Sequence, residues 1–222
     1  MKVLAISAHP DDETLGCGGT LLKHRANGDE LFWLIASTRK EGRWTRENLQ
    51  VRQTHIENVT RAFDFQERFE LGFSDSQLET VPVGDLMESI SAVISKVRPD
   101  VIYCVHGGDI HTDHIATYTA TMSVLKPFYM KTFGVQRVLC YEILSSTDAA
   151  PPNSHRAFVP NAFCDISEFL PRKQEIMAMF ETEVHPDPMP RGPSAIEALA
   201  RFRGATISTQ YAEAFMLVRE LF

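Results

Sequence analysis

Long apolar runs and closely spaced cysteines are both missing from this sequence. No apolar stretch reaches the about eighteen residues that a membrane-spanning helix needs. The N-terminal apolar run is too short for a signal peptide and leads directly into acidic residues. The four cysteines form no C-x-x-C pair, which argues against a zinc–thiolate site and a disulfide framework. We therefore expect a cytoplasmic protein without a membrane span.

An excess of basic charge is missing as well. The formal net charge is −7 and the isoelectric point is near 5.6, which disfavours binding to the phosphate backbone of nucleic acids. The hydrophobic fraction of 44% and the charged fraction of 23% are ordinary for a globular protein. We expect a single domain over residues 1–222 that acts on a small molecule and binds no nucleic acid. Exposed proline-rich and aromatic segments are compatible with a homo-oligomer.

Strand-like apolar runs alternate with helical patterns along residues 1–144. This alternation predicts an α/β protein with a Rossmann-like, three-layer αβα core and a mostly parallel central sheet. The strand over 135–144 contains Arg137 and Glu142, so we expect it toward an edge of the sheet. Residues 145–222 are richer in proline and predict a C-terminal elaboration packed on the sheet, with a helix over about 171–183.

Two clusters of polar residues follow predicted strands. The first is the segment His9-Pro10-Asp11-Asp12-Glu13, directly after the strand over 3–8. Burial of unpaired carboxylates is costly, so packing does not explain this cluster. The second is His111-Thr112-Asp113-His114, after the strand over 100–105. Ligand sites of open α/β sheets lie at the carboxyl ends of their strands, and both clusters are expected there.

The residue types in these clusters indicate a metal site. His9, Asp12 and His114 are predicted to bind a divalent ion, with zinc favoured and Fe²⁺ or another divalent metal as alternatives. Two imidazoles and one carboxylate leave coordination positions open on zinc, which is the arrangement of catalytic sites. Such an ion polarises a carbonyl group as a Lewis acid.

The remaining residues of the clusters supply acid–base chemistry. Asp11 is adjacent to a ligand and is not needed as one, so it is predicted to be the general base toward water. His111 precedes His114 by three residues and should point to nearly the same side of a helical turn. It is expected to stabilise an oxyanion or to protonate a leaving amine. Asp113 is predicted to orient the His111 ring or to interact with a metal ligand without binding the metal itself. Glu13 is expected to cap or orient the first cluster.

The motifs Ala8-His9-Pro10-Asp11-Asp12-Glu13 and His111-Thr112-Asp113-His114 resemble those of the PIG-L/LmbE-like family of zinc-dependent de-N-acetylases. The resemblance covers about residues 1–125 and is weaker beyond. It implies zinc on the residues at positions 9, 12 and 114, the general base at position 11, and the oxyanion-stabilising residue or acid at position 111.

The same resemblance implies three substrate contacts. Arg52 resembles an arginine that contacts substrate hydroxyls or phosphate, and Asp75 resembles a sugar-binding carboxylate. Asp109 is grouped with them, although it stands where some members carry a mobile tyrosine, so that tyrosine's role does not carry over. The basic segment with Arg191 and Arg203 is expected either to gate the pocket, to bind a substrate phosphate, or to be a solvated loop.

These expectations combine into a functional hypothesis. The chain is predicted to be a zinc-dependent hydrolase that removes an acetyl or other acyl group from the nitrogen of an N-acetylated amino sugar or glycoconjugate. An amidase acting on a thiol–sugar conjugate or another small amide is an alternative enzyme. A metal-free sugar-binding module is the alternative outside the enzymes. The fold does not fix the substrate.

Overall fold

The computed structural model describes residues 1–151 and 155–222. The strands are Lys2–Ser7 (β1), Glu30–Thr38 (β2), Glu67–Ser74 (β3), Val101–Val105 (β4), Arg137–Tyr141 (β5), Ala162–Asp165 (β6) and Ala212–Glu220 (β7). The α-helices are Asp12–Ala26 (α1), Arg46–Phe63 (α2), Val83–Val97 (α3), Thr112–Val124 (α4), Pro127–Phe133 (α5), Leu170–Met177 (α6) and Pro193–Thr206 (α7). A short 3₁₀ turn occupies Leu78–Thr80.

One seven-stranded sheet has the order β3-β2-β1-β4-β5-β7-β6. The pairs β3–β2, β2–β1, β1–β4 and β4–β5 are parallel. Strands β1 and β4 are apolar and buried nearly throughout, as expected for strands covered on both faces. On one side α1 contacts α2 and α6, and α6 contacts α7, whereas α3 packs on α4. The predicted three-layer α/β fold with a mostly parallel sheet is confirmed.

The C-terminal region completes this sheet. Strand β7 pairs antiparallel with β5, and β6 pairs antiparallel with β7. The prediction of an edge position for the strand around Arg137 is therefore wrong, because β5 lies between β4 and β7. Its charged residue is accommodated at the strand end, where Arg137 forms an ion pair with Glu220 of β7. The helix predicted over 171–183 ends at Met177.

A buried ion pair joins the C-terminal region to a break in α1. Cys17 has non-helical backbone angles, φ −141° and ψ 17°. Beyond the break, the backbone N–H groups of Gly19 and Thr20 donate to the Glu213 carboxylate at 2.9 and 2.7 Å. Before it, the Leu15 carbonyl accepts a hydrogen bond of 2.8 Å from Lys173 Nζ, which also donates to Glu213 at 2.7 Å. The pair thus satisfies backbone groups that the break leaves without helical partners.

Glycine allows α1 to approach the sheet closely. A Cβ at Gly16 would lie 2.0 Å from Cδ2 of Tyr141, and one at Gly19 would lie 2.8 Å from Ile166. The Tyr141 side chain is fully buried and its hydroxyl donates to the Ile6 carbonyl at 2.9 Å. Any larger residue at position 16 would push the first turn of α1 away from the end of β1.

Candidate active site

The neighbouring strands β1 and β4 bring the two polar clusters together. Their parallel pairing, with Val3 opposite Val101 and Ile6 opposite Cys104, places both carboxyl ends at the same edge of the sheet. The loop after β1 leads into α1, and the loop after β4 leads into α4, at whose N-cap His111 lies. The two motifs therefore meet although about a hundred residues separate them in the sequence.

Three side chains converge at this edge with ligand-like spacing. His9 Nδ1 lies 3.3 Å from His114 Nε2. The Asp12 carboxylate lies 3.4 Å from His114 Nε2 through Oδ1 and 3.7 Å from His9 Nδ1 through Oδ2. Ligand atoms at about 2.0–2.1 Å from a tetrahedral zinc ion are about 3.4 Å apart. The distances among the residues at positions 9, 12 and 114, which use both oxygens of Asp12, thus have the spacing of zinc ligands.

The other nitrogen of each of these histidines faces a carboxylate. His9 Nε2 is 2.9 Å from Asp113 Oδ2, and His114 Nδ1 is 3.1 Å from Asp109 Oδ2. A carboxylate hydrogen-bonded to one ring nitrogen holds the proton there, as Asp113 does for His9, so the opposite nitrogen is free to bind a metal. Asp109 lies at ion-pair distance from His114 Nδ1 without the geometry of a hydrogen bond. The Asp113 carboxylate also accepts hydrogen bonds from the backbone N–H groups of Ser76 and Leu78, at 2.7 and 2.9 Å. Its orientation is therefore fixed from three directions.

Among the described residues, two groups of three side chains have potential metal-ligand atoms within 4.8 Å of one another, and neither group includes Asp12. One nitrogen from each of His9, His111 and His114 lies within 4.8 Å of the others. His9 with Asp75 and Asp113 forms the second group, which uses His9 Nε2, the nitrogen already bonded to Asp113. His9 cannot donate a proton to Asp113 and bind a metal through the same nitrogen. His9 Nδ1, which faces His114 and Asp12, is therefore the nitrogen better placed to bind a metal.

The surroundings of Asp11 and Asp12 shift the pKa values of these two carboxyl groups in opposite directions. Burial opposes ionisation of Asp12, but the adjacent His114 and His9 lower its pKa below the ordinary range. Burial also disfavours the charged form of His114, yet the Asp12 charge raises the pKa of His114 to about 10. By contrast, burial raises the pKa of Asp11 to about 7, although the Arg191 charge acts in the opposite direction. Asp12 is thus a stable anion, and Asp11 is the carboxyl group suited to proton exchange.

Asp11 and His111 line the same centre from two sides. Asp11 is 3% exposed, and its Oδ2 accepts a hydrogen bond of 2.9 Å from Arg191 Nη1. The His111 ring is stacked on that of His114, with centroids 4.9 Å apart, and its centroid lies 4.5 Å from that of His9. The expected same-side placement of the two histidines of the second motif is confirmed. His111 Nδ1 accepts the N–H of Asp113 at 3.2 Å, so its Nε2 is directed away from the backbone.

The predicted substrate residues are placed differently from one another. Asp75 lies beside the centre, with Oδ1 3.6 Å from His9 Nε2, and Arg52 Nη2 is 4.0 Å from Asp75 Oδ2. Asp109 is 2% exposed. Its carboxylate is occupied by His114 and accepts hydrogen bonds from the His111 backbone N–H and the Thr147 hydroxyl. The position of Asp109 matches an orienting group for the histidines more closely than a substrate contact.

Sequence reasoning missed two members of this site. Arg39 donates to Asp75 Oδ2 at 3.2 Å and to Glu183 Oε1 at 2.9 Å, and its guanidinium stacks on Trp44 with 4.1 Å to the ring centroid. Glu183 also lies 3.5 Å from Arg52 Nη1. The place of Arg39, in the loop after β2 at the same sheet edge, could have indicated it. Glu183 follows α6 and carries no local signal.

Of the two basic C-terminal residues named in the sequence analysis, Arg191 reaches the site. It contacts Asp11 as described and lies 3.7 Å from Glu183. Arg203 instead forms a two-pronged ion pair with Glu142, with both hydrogen bonds at 2.7 Å. That pair holds α7 against the end of β5 and occupies Nε and Nη2 of Arg203.

Known proteins are similar to this chain over the region that contains both motifs. The family model described as PIG-L, GlcNAc-PI de-N-acetylase, matches residues 4–125, which is more than half of the chain. The "uncharacterized deacetylase YaiS" of Escherichia coli (strain K12) is 26% identical over 171 residues, covering 75% of this chain and 82% of the relative. A probable N-acetyl-alpha-D-glucosaminyl L-malate deacetylase 2 of Bacillus anthracis is 25% identical over 197 residues, covering 82% and 83%.

Solved structures show the same architecture. The conserved protein TT1542 from Thermus thermophilus superposes with a TM-score of 0.78 at 25% identity, covering 99% of this chain and 96% of that one. No helix in the described ranges 1–151 and 155–222 is long and apolar enough to cross a membrane. Because the family model matches more than half of the chain and includes both motifs, this chain belongs to the PIG-L (LmbE-like) family of deacetylases.

Proposed function

We propose that this protein is a zinc-dependent hydrolase that removes the acetyl group from the nitrogen of an N-acetylated amino sugar or glycoconjugate. One observation supports this most strongly. Three side chains from two distant motifs approach one another with nitrogen–nitrogen and nitrogen–oxygen distances of 3.3–3.7 Å, both oxygens of Asp12 taking part, while the buried carboxyl group of Asp11 beside them is left out of the set.

His9 Nδ1, His114 Nε2 and the Asp12 carboxylate would hold the zinc ion in this proposal. Asp113 and Asp109 would hold the protons on the opposite ring nitrogens of the two histidines. When bound, zinc supplies Lewis acidity that polarises the amide carbonyl. Fe²⁺ or another divalent metal suits the same two-nitrogen, one-carboxylate set.

Asp11 and His111 would carry the proton transfers. Asp11 takes a proton from the attacking water as the water oxygen forms its bond to the amide carbon. His111 donates a hydrogen bond to the carbonyl oxygen, on which negative charge develops. When the tetrahedral intermediate collapses, the C–N bond breaks and the amine nitrogen receives the proton from Asp11 or His111. Acetate and the free amino sugar are the products.

The environment of Arg52 favours a polar substrate next to the proposed zinc site. Its Nη2 is buried and has no hydrogen-bond partner among the described residues. An unsatisfied buried guanidinium N–H is costly, and a sugar hydroxyl or an anionic substituent would satisfy it. The neighbouring Asp75 carboxylate can accept a sugar hydroxyl. The printed names of relatives that act on N-acetylglucosaminyl compounds support the same substrate class. The cytoplasmic location and self-association remain predictions from the sequence.

The test is acetate release by zinc-loaded protein from a panel of N-acetylglucosaminides, together with metal analysis. Asp12→Ala is expected to lose both zinc and activity. Asp11→Asn should keep zinc and lose activity by about 10²–10⁴-fold. Asp85→Ala, at an exposed position on α3, serves as the matched control and should behave like the wild type.

Stoichiometric zinc in Asp12→Ala would refute the ligand set. Amine release from a non-sugar amide or a thiol–sugar conjugate alone would replace the substrate class with the alternative amidase. A wild-type protein that binds N-acetyl sugars without zinc and without turnover would identify a sugar-binding module instead.

A further inference from the structure

Asp11 has a backbone conformation that needs external support. Its φ is 117° and its ψ is −27°, in a region that residues with a Cβ rarely adopt. Asp11 is the N-cap residue of α1 and makes no side-chain cap hydrogen bond there. The side chain is therefore turned away from the helix end that it would ordinarily cap.

Glu13 supports the backbone of Asp11. The Glu13 side chain is 0% exposed, and its Oε2 accepts the Asp11 N–H at 3.2 Å. Its Oε1 accepts the Thr14 hydroxyl at 2.6 Å. Ser7 Oγ lies 3.5 Å from Oε2 and itself accepts the indole N–H of Trp33 at 3.1 Å. A buried chain of hydrogen bonds thus connects the core of the sheet to the amide of Asp11.

Arg191 supports the carboxylate of Asp11 from the opposite direction. Its Nη1 donates to Asp11 Oδ2 at 2.9 Å. The guanidinium is itself anchored, because Nε donates to Ser145 Oγ at 2.8 Å. Arg191 lies 180 residues beyond Asp11 in the sequence, so the C-terminal region completes this support.

The neighbouring Asp12 is held by different groups. Its Oδ2 accepts the backbone N–H groups of Ala8 and His9 at 2.9 and 2.8 Å. None of these bonds involves Glu13 or Arg191. Loss of the support for Asp11 should therefore leave the position of Asp12 unchanged.

We propose that Glu13 and Arg191 are positioning residues for Asp11: Glu13 holds its backbone in the left-handed conformation, and Arg191 holds its carboxylate toward the attacking water. This inference rests on the proposed role of Asp11 as the general base. Without Glu13 the backbone of Asp11 relaxes to negative φ and the carboxylate leaves its position. Without Arg191 the carboxylate loses its orientation while the backbone stays in place.

Steady-state kinetics on zinc-loaded variants test the proposal. In Glu13→Ala and Arg191→Met, kcat is expected to fall by about tenfold to a hundredfold, the usual effect of a displaced catalytic group. KM and zinc affinity should stay within about threefold, since Asp12 keeps its own bonds. Glu13→Gln should recover most of kcat, because its amide oxygen can still accept the Asp11 N–H. Glu168→Ala, at an exposed position, is the control.

A crystal structure of zinc-loaded Glu13→Ala gives a readout that does not depend on turnover. Negative φ at residue 11 supports the proposal, and an unchanged φ with the carboxylate in place overturns it. An unchanged kcat in both single variants overturns it as well. An inactive wild-type protein would instead count against the proposed deacetylase function, while the backbone readout still decides the role of Glu13.

Discussion

Three consecutive acidic residues after β1 have three different environments. Asp12 accepts two backbone N–H groups and faces two histidines, so its pKa is lowered. Asp11 is buried with a single arginine, and burial raises its pKa to about 7. Glu13 lies deepest, and burial raises its pKa to about 8. Identical functional groups thus acquire distinct properties because their partners differ.

Glu183 illustrates how charges from distant segments stabilise one another. Partial burial opposes its ionisation, but the charges of Arg39 and Arg52 lower its pKa below the ordinary value. A carboxyl group with a lowered folded-state pKa stabilises the fold above its unfolded-state pKa, and this contribution is lost as the pH falls toward the folded-state value.

We therefore expect Glu183→Gln to be less stable than the wild type near neutral pH. The difference in free energy of unfolding should shrink as the pH falls below about 4.3, the ordinary glutamate pKa. Urea denaturation at several pH values between about 3 and 7 measures it. A difference that does not change with pH would show that the ionisation of Glu183 does not contribute to stability.

At the scale of elements, α1 depends on the C-terminal region. The break at Cys17 leaves backbone groups that Glu213 of β7 and Lys173 of α6 satisfy. Both side chains are buried, at 5% and 4% exposure. Removal of one partner leaves the other as an uncompensated charge in a low-dielectric interior.

Lys173→Met is expected to lower the free energy of unfolding by about 3–5 kcal/mol, measured by chemical denaturation. The methionine has a similar shape, so the loss reports the charge and not a cavity. Lys131→Met, at an exposed position on α5, should change stability by about 0.5 kcal/mol or less. Equal effects of the two substitutions would contradict the role of the buried pair.

At the scale of the whole molecule, the C-terminal region belongs to the same sheet as the parallel core. Strand β7 covers the open side of β5, and Arg191 and Glu183 reach the candidate active site. A chain cut after residue 144 would expose the backbone of β5 and leave the break in α1 uncapped. Such an edge favours aggregation.

A fragment of residues 1–144 is therefore expected not to fold cooperatively, although it contains all the predicted metal ligands. Differential scanning calorimetry and near-ultraviolet circular dichroism would show no sharp transition and no fixed aromatic packing. A fragment that unfolds in one cooperative step would show instead that the core is an independent domain.

The parallel half of the fold and both motifs were predictable because their signals are local. Each parallel strand is a short apolar run between turn signals, and each motif places polar residues where burial would be costly. Strands β6 and β7 and helices α5 and α7 were not predicted, and α6 was predicted to end six residues too late. Short apolar segments fit either a strand or a helix, and β7 is a strand because β5 offers it a partner.

The sequence by itself determined which chemical groups stand at the ends of β1 and β4, and so the family and the class of reaction proposed. Only the tertiary structure decided what each group touches. It placed Asp113 and Asp109 on the far nitrogens of His9 and His114, and it brought Arg191 to Asp11 from the other end of the chain. The physical reason is that strand and motif patterns depend on neighbouring residues, whereas burial and charge pairing depend on groups that only folding brings together.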